Sequence, residues 1–151
     1  IRARLVGSEM CIRDSDTTLF HQKMEEACRP YDETYYPKFK KRCDEYFYLP
    51  HRNEPRGEGG IFFDYMNTGD WETDFDFVKD VGRKTLEAIT TIVNQHKDLS
   101  WTAQEKDEQL IKRGRYVEFN LLWDRGTLFG IKTGGSTEAI LMSMPPTVKW
   151  A

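Results

Sequence analysis

Histidine and cysteine are both scarce in this chain, with three of each. No two cysteines form a CxxC pair and no even set of bridges is laid out, so neither a zinc ribbon nor a disulfide scaffold is expected. Such usage fits a reducing compartment. A run of about 18 apolar residues, the minimum for a membrane-spanning helix, is also absent. So is any excess of basic charge. Lys and Arg number 22 against 25 Asp and Glu, for a formal net charge of −3, and no nucleic-acid partner is expected. Internal repeats and low-complexity linkers are missing, so nothing marks a second domain. What is present is 151 residues, 38% hydrophobic and 31% charged, enough for one domain with a modest core.

The first fifteen residues, IRARLVGSEMCIRDS, do not share this character. They read as translated adapter sequence fused to a truncated reading frame, and are set aside from fold reasoning. That removes Cys11 and leaves Cys28 and Cys43, which read as structural thiols. Residues 16–151 then form one continuous body.

Ser15 or Asp16 can cap a helix that runs to about Arg29, with Leu19, Phe20, Met24 and Ala27 at helical spacing. Pro30 ends it. A second helix is expected from Asp32 to Tyr48, with Tyr35, Tyr36, Phe39, Cys43, Tyr46 and Phe47 on one face. Residues 49–60 are rich in Pro and Gly and read as loop. Residues 60–66 are short, apolar and aromatic, as a buried strand is. Glu72 to about Lys97 reads as a long helix. Its expected buried stripe is Phe75, Val78, Gly82, Leu86, Ile89 and Val93, widened by Val81, Ala88 and Ile92. Residues 102–112 suggest a polar helix.

From Gly114 to Trp150 the pattern changes. Val117, Phe119, Leu121 and Trp123 alternate with Tyr116, Glu118 and Asn120, the period of a strand. Asp124-Arg125-Gly126 follows as a charged turn. Gly134-Gly135 breaks the chain again, and residues 139–144 read as another extended run before Pro145-Pro146. Short connections between such strands favour antiparallel pairing. The fold class expected is therefore α+β with a mainly antiparallel sheet. Around the turn, Lys112, Arg113, Arg115, Arg125 and Lys132 crowd a region whose only acids are Glu118 and Asp124. A carboxylate and a guanidinium at a strand end, near glycines that let a ligand approach the backbone, form a candidate polar site.

The stretch GRYVEFNLLWDRGTLFGIKTGGSTEAILMSMPPTVKW and the block HRNEPRG followed by GGIFFD resemble the C-terminal signature of the oxygen-dependent coproporphyrinogen III oxidases. The resemblance runs from about Asp16 to Trp150 and covers about half of a family member. It implies a large flat antiparallel sheet flanked by helices on both faces, with a cleft for a tetrapyrrole. It implies oxidative decarboxylation of two propionates of coproporphyrinogen III to vinyls, giving protoporphyrinogen IX in haem biosynthesis, with O2 as oxidant. Asp124 and Arg125 are its expected catalytic residues. Asp124 would accept hydrogen bonds from the pyrrole N–H groups and assist loss of a proton. Gly134, Gly135, Ser136, His51, Arg52 and Arg56 are the expected substrate-binding residues.

Bacterial-type members carry an arginine where Ser136 stands, which puts that contact in doubt. Backbone N–H groups of Gly134 and Gly135 could still hold a carboxylate. No cofactor is expected beyond O2 as co-substrate. A divalent metal on His51 applies only to a metal-dependent bacterial-type member. His21 and His96 show no ligand spacing to it and read as surface residues. Arg52, Glu54 and Arg56 read equally well as a salt-bridge network that shapes the loop. The resemblance also implies a homodimer through residues 116–150. It points to the cytoplasm, or to a plastid or the mitochondrial intermembrane space in a eukaryote. The rival from another class is a non-catalytic fragment that only dimerises or binds porphyrin. A metal-dependent hydrolase built on His51 and Asp64 lacks a second ligand.

Overall fold

A computed structural model describes residues 14–150. The described residues are mostly helical, with one small two-stranded antiparallel sheet. In chain order the elements are α1 (Asp14–Cys28), α2 (Tyr35–Tyr46), β1 (Tyr48–Leu49), β2 (Glu54–Pro55), α3 (Trp71–His96), α4 (Ala103–Leu122), α5 (Arg125–Lys132) and α6 (Thr137–Leu141). They divide into two compact units. The first holds residues 14–46 and 58–100, and the second holds 47–57 and 101–150.

The first unit is built on α1 against α3. Met24, Ala27 and Cys28 of α1 meet Phe77 and Val81 of α3, joined by Phe39 and Ile61. Phe77 is the hub. Its ring lies 5.1 to 6.0 Å, centroid to centroid, from those of Tyr31, Tyr35, Phe39 and Phe63. Several meet edge to face, the geometry that the ring quadrupole favours. Cys28 and Cys43 are both buried and neither is in a disulfide, and burial pushes the Cys28 thiol up to about 12.

Helix α3 begins at Trp71 because Asp70 caps it. The Asp70 carboxylate accepts from the Glu72 and Thr73 amides at 3.1 and 3.4 Å, and such caps satisfy otherwise orphaned donors. Its buried side differs from the expected stripe. Val81 and Ala88, expected to widen the stripe, are buried, and Asp74 and Phe77 are buried beside them, whereas Phe75, Leu86 and Val93 are exposed and nothing approaches Gly82. The helix carries two apolar sides, and periodicity cannot tell which of them meets the core.

The sheet expectation needs the largest correction. Residues 60–66 form no strand; the Phe62 amide donates instead to the Phe39 carbonyl of α2 at 3.1 Å. The alternating run 116–123, expected as strand, is instead the last part of helix α4 and its C-cap Trp123. That helix is started firmly by a capping box. Thr102 Oγ1 accepts from the Glu105 amide at 3.1 Å, and Glu105 Oε2 accepts from the Thr102 amide at 2.7 Å. Once nucleated, a helix gains one bond per residue added, and no proline interrupts this one before Asp124. Residues 137–141 form the short helix α6 rather than strand. The flat flanked sheet is therefore replaced, among the described residues, by the β1–β2 ladder alone. In that ladder Tyr48 faces Pro55 and Leu49 faces Glu54.

Two helix starts also moved. Helix α1 already includes Ser15 and Asp16, so neither caps it. Helix α2 begins at Tyr35, after an Asx turn in which Asp32 Oδ1 accepts from the Thr34 amide at 2.7 Å. Residues 1–13 of the adapter-like segment lie outside the described residues.

Candidate functional site

The second unit brings the HRNE segment onto α4. The β1–β2 hairpin places His51 and Arg52 in its tip, where Asn53 adopts a left-handed φ of 56° and Tyr48 Oη donates to Asn53 Oδ1 at 2.6 Å. Both tip residues reach Glu118 of α4. Arg52 Nε and Nη2 donate to the two carboxylate oxygens, each at 2.6 Å. His51 Nε2 lies 2.8 Å from Glu118 Oε2. Arg115, one turn earlier on α4, sits 3.6 Å from the same carboxylate and donates to Glu54 of β2.

Glu118 is buried, so its charge is tolerated only because three cationic or donor groups surround it. Arg52 holds its carboxyl below the usual carboxylate range, with His51 adding to the effect against the opposing push of burial.

A carboxyl depressed in this way stabilises the folded state above its unfolded value of about 4.3. That contribution is lost as the pH falls through the lower folded value. Acid titration followed by tryptophan fluorescence should therefore show stability declining below about pH 4.3, and Glu118→Gln should flatten that decline. An unchanged slope in the variant would count against the pair.

Arg56 takes another course. Its guanidinium lies 4.1 Å from the Phe47 ring centroid, 5.0 Å from that of Phe119 and 5.1 Å from that of Tyr116. Desolvated contacts of this type favour arginine. Arg52, Glu54 and Arg56 thus each reach α4.

Asp124 stands at the junction of α4 and α5. It is buried and caps α5, its Oδ2 accepting from the Thr127 amide at 3.0 Å and from Thr127 Oγ1 at 2.8 Å. Arg125 is the first residue of α5 and is exposed. At the other end of α5, the Gly135 amide donates to the Gly130 carbonyl at 2.9 Å and the Gly134 amide to that of Ile131 at 3.2 Å. Both N–H groups expected to hold a carboxylate therefore close the helix instead. Gly134 needs its φ of +72°, and a Cβ on Gly135 would meet the Gly130 oxygen at 3.0 Å. Ser136 caps α6.

The structure brings together His51 and Arg52, and places Asp124 beside Arg125. Gly134, Gly135 and Ser136 lie an α5 length away, about 12 Å for eight residues. Glu118 and Arg115, expected only in the charge balance around the DRG turn, join the His51–Arg52 cluster, and Trp123 joins it without having been expected. The burial of Glu118 was hidden by the strand reading, which grouped it with Tyr116 and Asn120. His21 and His96, expected at the surface, are both partly buried. His21 Nδ1 pairs with Tyr36 Oη at 3.1 Å, and burial lowers its pKa. His96 Nε2 lies 2.9 Å from the buried Asp16 carboxylate. Asp64 accepts from Arg42 at 2.8 Å. Among the described residues no three His, Cys, Asp or Glu side chains converge as metal ligands. Both nitrogens of His51 are already engaged, so the donor set does not fit a metal.

Residues 9–151 match the coproporphyrinogen III oxidase family. The chain is 60% identical over 138 residues to the oxygen-dependent coproporphyrinogen-III oxidase of Rickettsia bellii (strain OSU 85-389), covering 91% of this chain and 50% of that protein. It is likewise 60% identical over 136 residues to that of Rickettsia africae, covering 90% of this chain and 49% of the relative. The chain belongs to the coproporphyrinogen III oxidase family. It spans about half the length of the curated relatives it matches. No described helix is long and apolar enough to cross a membrane.

Proposed function

We propose that this chain is the C-terminal portion of a single-domain oxygen-dependent coproporphyrinogen III oxidase of haem biosynthesis. The observation that carries the reading is the 60% identity to proteins of that name over 91% of the chain. In the whole protein two propionates of coproporphyrinogen III become vinyls. Each conversion releases CO2 and removes a hydride equivalent from the side chain, and O2 accepts the two electrons. The flat sheet that the resemblance implies is assigned to the half of the protein that this chain does not span. The cytoplasm is the assigned compartment.

In this reading Asp124 accepts hydrogen bonds from the pyrrole N–H groups. A carboxylate offers about four lone-pair sites, so one side chain can cap α5 and serve a ligand. Arg125, exposed beside it, pairs with a propionate. His51 Nε2 and the Nε and Nη2 of Arg52 face Glu118, and Arg56 lies among rings, so in this reading these three shape the site in preference to binding substrate. O2 is the co-substrate and no step is routed through a metal.

The second reading, a dimerising or porphyrin-binding module without turnover, is favoured by apolar side chains left exposed within residues 116–150. Phe129 is 70% and Met142 84% exposed. A homodimer through this region is compatible with either reading. The full-length protein containing this sequence decides between them. Oxygen uptake and CO2 release with coproporphyrinogen support the oxidase. A porphyrin absorbance shift with neither would overturn it.

A further inference from the structure

We infer that Arg52, Glu118, His51 and Trp123 form a positioning chain that sets the aim of Asp124, an inference that rests on the role given to Asp124 above. Trp123 Nε1 donates to His51 Nδ1 at 3.2 Å. An indole nitrogen can only donate, so Nδ1 must be unprotonated. The ring proton therefore sits on Nε2 and is directed at Glu118 Oε2, 2.8 Å away. Glu118 is in turn held on both oxygens by Arg52. Each member thus leaves the next a single arrangement. The His51 and Trp123 rings are nearly parallel, 22° apart with centroids at 6.0 Å.

The chain ends where α4 stops. Trp123 is the C-cap of α4, and its amide donates to the Phe119 carbonyl at 2.8 Å. The Asp124 amide donates to that same carbonyl at 2.9 Å. One peptide unit separates the pinned indole from the buried carboxylate. Helix ends fray when nothing holds them, and here the nearest hold on the side-chain side is the His51 bond. Trp123 is 42% exposed, so burial alone does not place it.

Trp123→Phe keeps the ring and removes the donor. In the 151-residue chain, nitrogen NMR should find His51 with a protonated Nε2 and a bare Nδ1. The Thr127 amide, which donates to Asp124 Oδ2, should exchange about tenfold faster in Trp123→Phe and in His51→Ala. In the full-length protein Trp123→Phe should lower kcat about tenfold with KM within about twofold. Added to Asp124→Asn, it should cause no further fall. Unchanged Thr127 exchange, an Nδ1–H tautomer, or multiplying losses in the double variant would each overturn the positioning chain. A full-length protein without turnover would sink the oxidase reading instead, and Thr127 exchange would still decide the positioning.

Discussion

Asparagine in place of Asp124 is expected to lower kcat of the full-length protein by at least about 10²-fold, the lower range of general-base assistance. KM should change much less. The structure makes this test cleaner than the sequence suggested. Asp124 caps α5 through Thr127, and Asn caps a helix about as well as Asp. The substitution therefore keeps the structural role and removes only the charge. Asp124→Ala is the control, because it removes both, at a stability cost of about 1 kcal/mol for the lost cap. If the charge serves the reacting pyrrole, Asp124→Asn leaves the thermal midpoint near native while kcat collapses. A lowered midpoint with near-native kcat would return Asp124 to a purely structural role. Steady-state kinetics on both variants beside their melting curves separates the outcomes.

The second large effect lies in the first unit. Phe77 is fully buried and touches four other rings, so Phe77→Ala should cost about 3–5 kcal/mol through lost transfer energy and a cavity. Leu86 lies on the same helix but is 67% exposed, and Leu86→Ala should stay within about 0.5 kcal/mol. Denaturant unfolding of the 151-residue chain measures both. Had periodicity placed the stripe correctly, the order would reverse, so equal losses at the two positions would contradict the packing of α3.

Local signals were read well where they depend on neighbours in sequence. Pro30 lies between α1 and α2, the long helix expected from Glu72 to about Lys97 is α3, and the polar helix expected over 102–112 is the first half of α4. The DRG turn was legible as a break in the chain, and it is one, between α4 and α5. The alternation from Tyr116 to Trp123 misled because a few apolar residues fit both periods. Length arbitrates between them, and the polar residues 103–113 had already committed the segment to helix. That strand reading hid Glu118, which the alternation grouped with Tyr116 and Asn120 and the helix buries with both.

The sequence by itself determined the family, the presence of α1, α2, α3 and the first half of α4, and the residue types available at the site. Those features act over a few neighbours or are matched residue by residue, so they need no knowledge of the packed chain. Only the tertiary structure decided which side of α3 is buried and that no large sheet forms among the described residues. It also decided that Arg52 and His51 serve a glutamate 66 and 67 residues further along. A pair so distant in sequence leaves no local trace. It exists because the β1–β2 hairpin carries its tip to α4, where a buried carboxylate must find partners or lose its charge.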